Sequence, residues 1–148
     1  MAFLELLPWQ KEVVSLVEGR VEPRVVHWFW SPLRVGKTMV TFFLQEIHDA
    51  IRATTVQEMF EYVKIFKLVL GYDSRIRVYD LQEEVEELDY EELVANNPHV
   101  IVLARSPPCA DRCGDVVLNI HQIPDDSVDV LKALCDRLAR ASSHNVDE

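Results

Sequence analysis

Apolar and polar positions follow two alternating periods along the chain, one helical and one extended, and the changes between them divide it into elements. "PWQKEVVSLVEG" predicts an amphipathic helix, with Val13, Val14, Leu16 and Val17 on its apolar side, Pro8 in its first turn and Gly19 at its end. "RVVHWFW" is a β-branched and aromatic run that predicts a buried strand. After the turn "SPLRVG", the segment "KTMVTFFLQEIHDAIRA" has helical spacing, with Met39, Phe42, Phe43, Ile47 and Ile51 directed inward. "TVQEMFEYVKIFKLVLG" predicts a second such helix, with Val56, Met59, Phe60, Val63 and Phe66 on one side and Gly71 as its stop. "RIRVYDL" is a strand ending near Asp80, and "QEEVEELDYEELVANN" an acidic helix or turn and helix with a solvated face. "HVIVLA" is a buried strand, "RSPPCADRCG" a loop, "DVVLNIHQI" another strand and "SVDVLKALCDRLARA" a final amphipathic helix. The tail "SSHNVDE" is expected to fray.

Strands that alternate with helices imply a mostly parallel sheet with helices on both faces. At 148 residues the chain suits one domain, with a core over about 8–123, a helix over 127–141 and a tail over 142–148. Ligands of such sheets sit beyond the carboxyl ends of the strands. Both "SPLRVGKT" and Asp80 fall at strand ends of that kind.

The turn has the spacing of a phosphate-binding loop, G-x-x-x-x-G-K-[ST], between a strand and a helix. Ser31 takes the first position, Pro32 to Val35 fill the gap, and Gly36, Lys37 and Thr38 complete it. The fold class expected is therefore α/β, P-loop NTPase-like. Gly36 would let backbone approach the phosphates, Lys37 would reach the β- and γ-phosphates, and Thr38 with Asp80 would face Mg²⁺. ATP and Mg²⁺ are the cofactors this pattern calls for. Ser31 departs from the pattern, because glycine there permits a backbone that a side chain resists, and Arg34 and Val35 are bulkier than the usual residues. Leu81 stands where a second carboxylate often follows Asp80, and Glu83 or Glu84 could substitute. The plainer role for Asp80 is a cap or strand-ending turn.

Composition narrows the function classes. The net charge of -10 repels phosphate backbones, so nucleic-acid binding is expected to be weak or confined to an assembly. No apolar run is long enough to span a bilayer, and "MAFLELLPWQKE" lacks a basic flank, so a soluble intracellular protein of nucleus or cytoplasm is expected. Cys109, Cys113 and Cys135 read as free thiols; "CADRC", near His99 and His121, has a ligand-like spacing without a second pair to complete a zinc site. Trp28, Phe29 and Trp30 read as core residues and not as a base-stacking platform.

The order of these pieces resembles the superfamily 3 helicase half of replication-initiator (Rep) proteins from circular single-stranded DNA viruses such as circoviruses and nanoviruses. The resemblance runs from Pro8 to Ile123 through "PWQ", "GKT", "RIRVYDL" and "PHVIVLARSPP". It implies an ATP-driven module that assembles as a ring on a nucleic-acid strand, with Lys37 and Thr38 at the phosphate and Mg²⁺ positions, Asp80 at the acidic strand end, and Trp9 and Gln10 in the lead-in segment. The departures matter as much. Arg105 aligns with the family's polar sensor, and an arginine cannot accept a hydrogen bond from water. The segment between "DYEELVANN" and "PHVIV" is short where the family carries a basic hairpin, and no His-hydrophobe-His nicking motif is found. Arg112 corresponds loosely to a ring-partner arginine but reads better as a loop-surface residue. Three readings result. The favoured one is a degenerate binding or assembly module with weak or no ATP hydrolysis, whose acidic stretch Glu83–Glu92 meets a basic protein partner. The alternatives are an active ATP-dependent helicase and, behind it, a small nucleotide kinase.

Overall fold

In a computed structural model, the structure describes residues 6–19, 25–70, 76–95 and 99–146, the side chains of 66, 67, 70 and 142–146 excepted. The expectations for Phe66, Gly71 and the Asn96–Asn97 end of the acidic stretch lie outside these. Strand β1 (Val25–Trp30) sits inside a sheet whose other members are β2 (Ile51–Ala53), β3 (Arg77–Asp80), β4 (Val100–Ala104) and β5 (Val117–Gln122). Their order is β2-β3-β4-β1-β5 and every pairing is parallel. Trp28 pairs with Val102 on one side and Ile120 on the other, which brings the carboxyl ends of β1 and β4 level. Parallel neighbours need crossover connections, and the helices α1 (Pro8–Glu18), α2 (Lys37–His48), α3 (Val56–Leu70), α4 (Tyr90–Leu93) and α5 (Ser127–Val146) cover the sheet from both sides.

Strand alternation divides the apolar residues into two layers. Val26, Trp28, Tyr79, Val100 and Val102 face α3 and α4, where Met59, Val63 and Leu93 meet them. Phe29, Val78, Ile101 and Leu103 face the other way, onto Val13 of α1, Val40 and Leu44 of α2 and Leu134 of α5. The expected α/β class, parallel sheet and two helical layers are all present.

Two expectations about the segment after the turn need correction. The helix ends at His48, not at Ala53, because Asp49 adopts a left-handed conformation (φ 57°) and caps it. Ile51–Ala53 then forms β2, the sheet edge beside β3. The buried side of α2 is Val40, Thr41 and Leu44, whereas Phe42 and Ile47 are 49% and 62% exposed. The helix is apolar on more than one side, so spacing alone does not select the face that the sheet covers. At the far end, α5 runs to Val146, so the stretch expected to fray is helical almost to the terminus. The acidic stretch resolves into a 3₁₀ turn (Val85–Glu87) and the short α4, capped by Asp89. Among the described residues no helix is long and apolar enough to cross a membrane.

Candidate functional site

The turn between β1 and α2 curls back on itself at the carboxyl end of the sheet. Ser31 continues the strand line, donating its N–H to the Ala104 carbonyl at 3.1 Å, while its hydroxyl accepts from Leu33 N–H at 3.1 Å. The only positive-φ non-glycine among the described residues is Asp49, so Ser31 needs no glycine-like conformation. The serine that looked like a defect fits without strain.

Gly36 carries the unusual backbone instead. It is left-handed (φ 89°, ψ 28°) and stands at the N-cap of α2. Two buried side chains from α1 hold this bend from behind. The Trp9 indole donates to the Val35 carbonyl at 3.0 Å, and the Gln10 amide donates to the Gly36 carbonyl at 2.8 Å. Gln10 also caps its own helix, its Oε1 accepting from Leu7 N–H at 2.8 Å. The left-handed backbone favours glycine here, and a Cβ on Gly36 would lie 2.7 Å from Gln10 Nε2, so a side chain would also displace the amide that holds the bend.

Lys37 follows at the first position of α2. Its ammonium donates to the Ser31 carbonyl and, at 3.0 Å, to that of Leu33, which folds the side chain back into the turn. Burial, and then the Arg105 charge, hold its pKa below the usual 10.5, while Asp80 pulls the other way. The Thr38 hydroxyl donates to Asp80 Oδ2 at 2.9 Å. Lys37 and Thr38 are thus brought to Asp80, 42 residues beyond Thr38. Together with Gly36, Arg105 and Leu131 of α5 they wall a cavity of about 450 Å³.

Arg105 is exposed, and the layer beneath fixes the backbone that follows it. Trp28 donates its indole N–H to the Ser106 carbonyl at 3.0 Å, fixing the bend that follows β4. Trp28 also stacks on Tyr90, whose hydroxyl accepts from Cys109 N–H at 2.8 Å. Trp28 and Phe29 are core residues, as expected, and Trp30 is half-buried against the same layer.

Sequence reasoning missed Arg52. From β2 it donates through Nη2 to Asp80 Oδ2 at 2.8 Å and through Nε to the Thr41 hydroxyl at 2.8 Å. The signal was the Thr55-x-x-Glu58 capping spacing, since Thr55 Oγ1 accepts from Glu58 N–H and Glu58 accepts from Thr54 N–H. That pattern starts a helix at Val56 and leaves an extended segment before it. Glu83 does not reach the cavity wall; it accepts from Val56 N–H at 3.0 Å and tethers α3. Elsewhere, Cys109 and Cys113 are free thiols, and Cys113 Sγ donates to the Cys109 carbonyl. Arg112 is exposed on its loop.

Comparison of the chain with family models, with curated proteins and with solved structures finds no match in any of the three.

Proposed function

We propose that this chain is a degenerate, Rep-helicase-like P-loop domain that holds a nucleotide through its phosphates and acts as a binding or assembly module, with weak or no ATP hydrolysis. One observation carries this reading: the left-handed Gly36 at the head of α2, with Lys37, Thr38, Asp80 and Arg105 around a single cavity. A helix N-terminus gathers backbone N–H groups and a positive dipole end, which suits a polyphosphate. A cavity of about 450 Å³ is of the size that small ligands occupy. ATP supplies the polyphosphate; Lys37 and Arg105 bring two cations to it.

Weak hydrolysis follows from what surrounds the phosphates. Attack by water needs a group that orients it, and where the resemblance puts a polar sensor, at the end of β4, stands Arg105, a donor without acceptor capacity. After Asp80 the chain continues with the buried Leu81, and Glu83 is committed to α3. The acidic segment that follows, with Glu84, Glu86, Glu87, Asp89 and Glu92 exposed, is the surface assigned to a basic protein partner. Self-association into a ring is the assembly that the resemblance suggests.

Phosphate release measured with and without single-stranded DNA or RNA tests the reading. Little turnover in either condition, together with binding of a fluorescent ATP analogue, supports it. Robust turnover abolished by Lys37→Ala would overthrow it in favour of an active helicase-type ATPase.

A further inference from the structure

Asp80 and Arg52 form a fixed pair. Arg52 Nη2 lies 2.8 Å from Asp80 Oδ2, its Nε is bonded to Thr41 at 2.8 Å, and its guanidinium carbon stands 4.1 Å from the centre of the Phe42 ring. Thr41 in turn donates to the Thr38 carbonyl at 2.7 Å, closing a network around the same helix turn. The two side chains are 15% and 6% exposed, so water does little to loosen the pair. Phe42, exposed where a core residue was expected, is the platform for this guanidinium.

The pair alters what the carboxylate can attract. Mg²⁺ binds oxygens at about 2.1 Å and relies on carboxylate charge as well as phosphate. On Asp80 Oδ2 the ion would stand within about 5 Å of Arg52 Nη2, two cations competing for one carboxylate in a sheltered corner. The cavity wall offers no second acid among the described residues. Its charged members are Asp80 against Arg34, Lys37 and Arg105. In a chain with 25 acidic and 15 basic residues, this wall reverses the general balance.

We propose that Arg52 is the resident counter-ion of Asp80, and that the cavity takes a polyphosphate free of divalent metal. This rests on the nucleotide reading above and sharpens it. Lys37, Arg34 and Arg105 supply the positive charge that a metal ion otherwise brings to the β- and γ-phosphates. Binding without a metal also accounts for binding without hydrolysis.

The test is calorimetric titration of the full chain with ATP and with inorganic tripolyphosphate, once in EDTA and once in excess Mg²⁺. Wild type and Arg52→Lys are expected to bind in both buffers with affinities within about threefold of each other. Arg52→Met, which leaves Asp80 uncompensated, is expected to bind weakly in EDTA and to regain at least about tenfold with Mg²⁺. Wild-type binding seen only with Mg²⁺ would overturn the inference and leave the nucleotide reading standing. Failure of the wild type to bind either compound in either buffer would overturn both. An Arg52→Met protein indifferent to Mg²⁺ would remove the role given to Arg52. Should that variant fail to fold, Mn²⁺ titration of the wild type, followed by water-proton relaxation, decides: no binding supports the proposal, and tight binding contradicts it.

Discussion

Gln10 and Gly36, 26 residues apart, are joined by a hydrogen bond of 2.8 Å from the glutamine amide to the glycine carbonyl. Trp9 makes the matching bond to Val35 at 3.0 Å. In a planar trans peptide the N–H points opposite to the C=O. Fixing the carbonyls of Val35 and Gly36 toward α1 therefore turns the N–H groups of Gly36 and Lys37 the other way, toward the head of α2. Trp9→Phe keeps the ring packing and removes one donor, leaving the Val35 carbonyl without it. We expect a loss of about 1 kcal/mol in folding stability and a several-fold loss of ATP affinity. Thermal unfolding and a binding isotherm on the same sample check the two effects separately.

Gly36 is the position least open to change. Alanine there faces both the left-handed backbone and the Gln10 amide 2.7 Å from its Cβ. Gly36→Ala is expected to cost roughly 1–3 kcal/mol of stability and to abolish measurable ATP binding. Urea unfolding gives the first number. A variant as stable as the wild type would show that the bend relaxes without penalty.

The depressed pKa of Lys37 gives the site a pH dependence with a definite sign. Burial and the Arg105 charge disfavour the ammonium in the free protein, whereas a bound polyphosphate favours it. ATP affinity should therefore be highest below the pKa of Lys37 and decline as pH rises through it, beginning below the usual 10.5. Arg105→Met removes the repulsive charge and should move this decline to higher pH. Folding runs the opposite way: between the lowered and the usual pKa the unfolded chain holds more protons, so the Lys37 contribution to stability improves as pH rises. Isotherms across an alkaline pH series, with a stability series beside them, check both signs.

Arg77 is a liability in the core. It begins β3, is 1% exposed, and its Nε and Nη1 make no well-formed hydrogen bond among the described residues, the neighbouring Tyr79 hydroxyl feeling its charge without satisfying them. Buried donors without partners are destabilising by about 1–3 kcal/mol. Arg77→Met, close in volume and apolar, is expected to stabilise the fold by about that amount. A drop in the thermal midpoint would show that the guanidinium is satisfied in solution.

Much of the fold was legible because its central pieces obey local rules. Val25–Trp30 and Val100–Ala104 are dense β-branched and aromatic runs, and both are buried strands. The Gly-Lys-Thr helix start was legible because its spacing encodes a backbone shape, and Gly36 adopts the left-handed bend. Ile51–Ala53 was not legible for the opposite reason. Three residues cannot display a period, Ile47 and Ile51 mimic a continued helix, and the break is made by Asp49 rather than by glycine. Missing that strand concealed Arg52, and with it the ion pair that engages Asp80. Ser31 misled in the other direction. Its residue type departs from the pattern, but its bond to Ala104 keeps it in line with the strand, where a side chain is tolerated.

The most direct measurement is the affinity of ATP for the wild type and for Lys37→Met, both checked for a cooperative unfolding transition. Capture of the phosphates by the turn at Gly36 predicts saturable wild-type binding, weakened at least about tenfold by the loss of the ammonium. Equal affinities in the two proteins, or no saturable binding by the wild type, would contradict it.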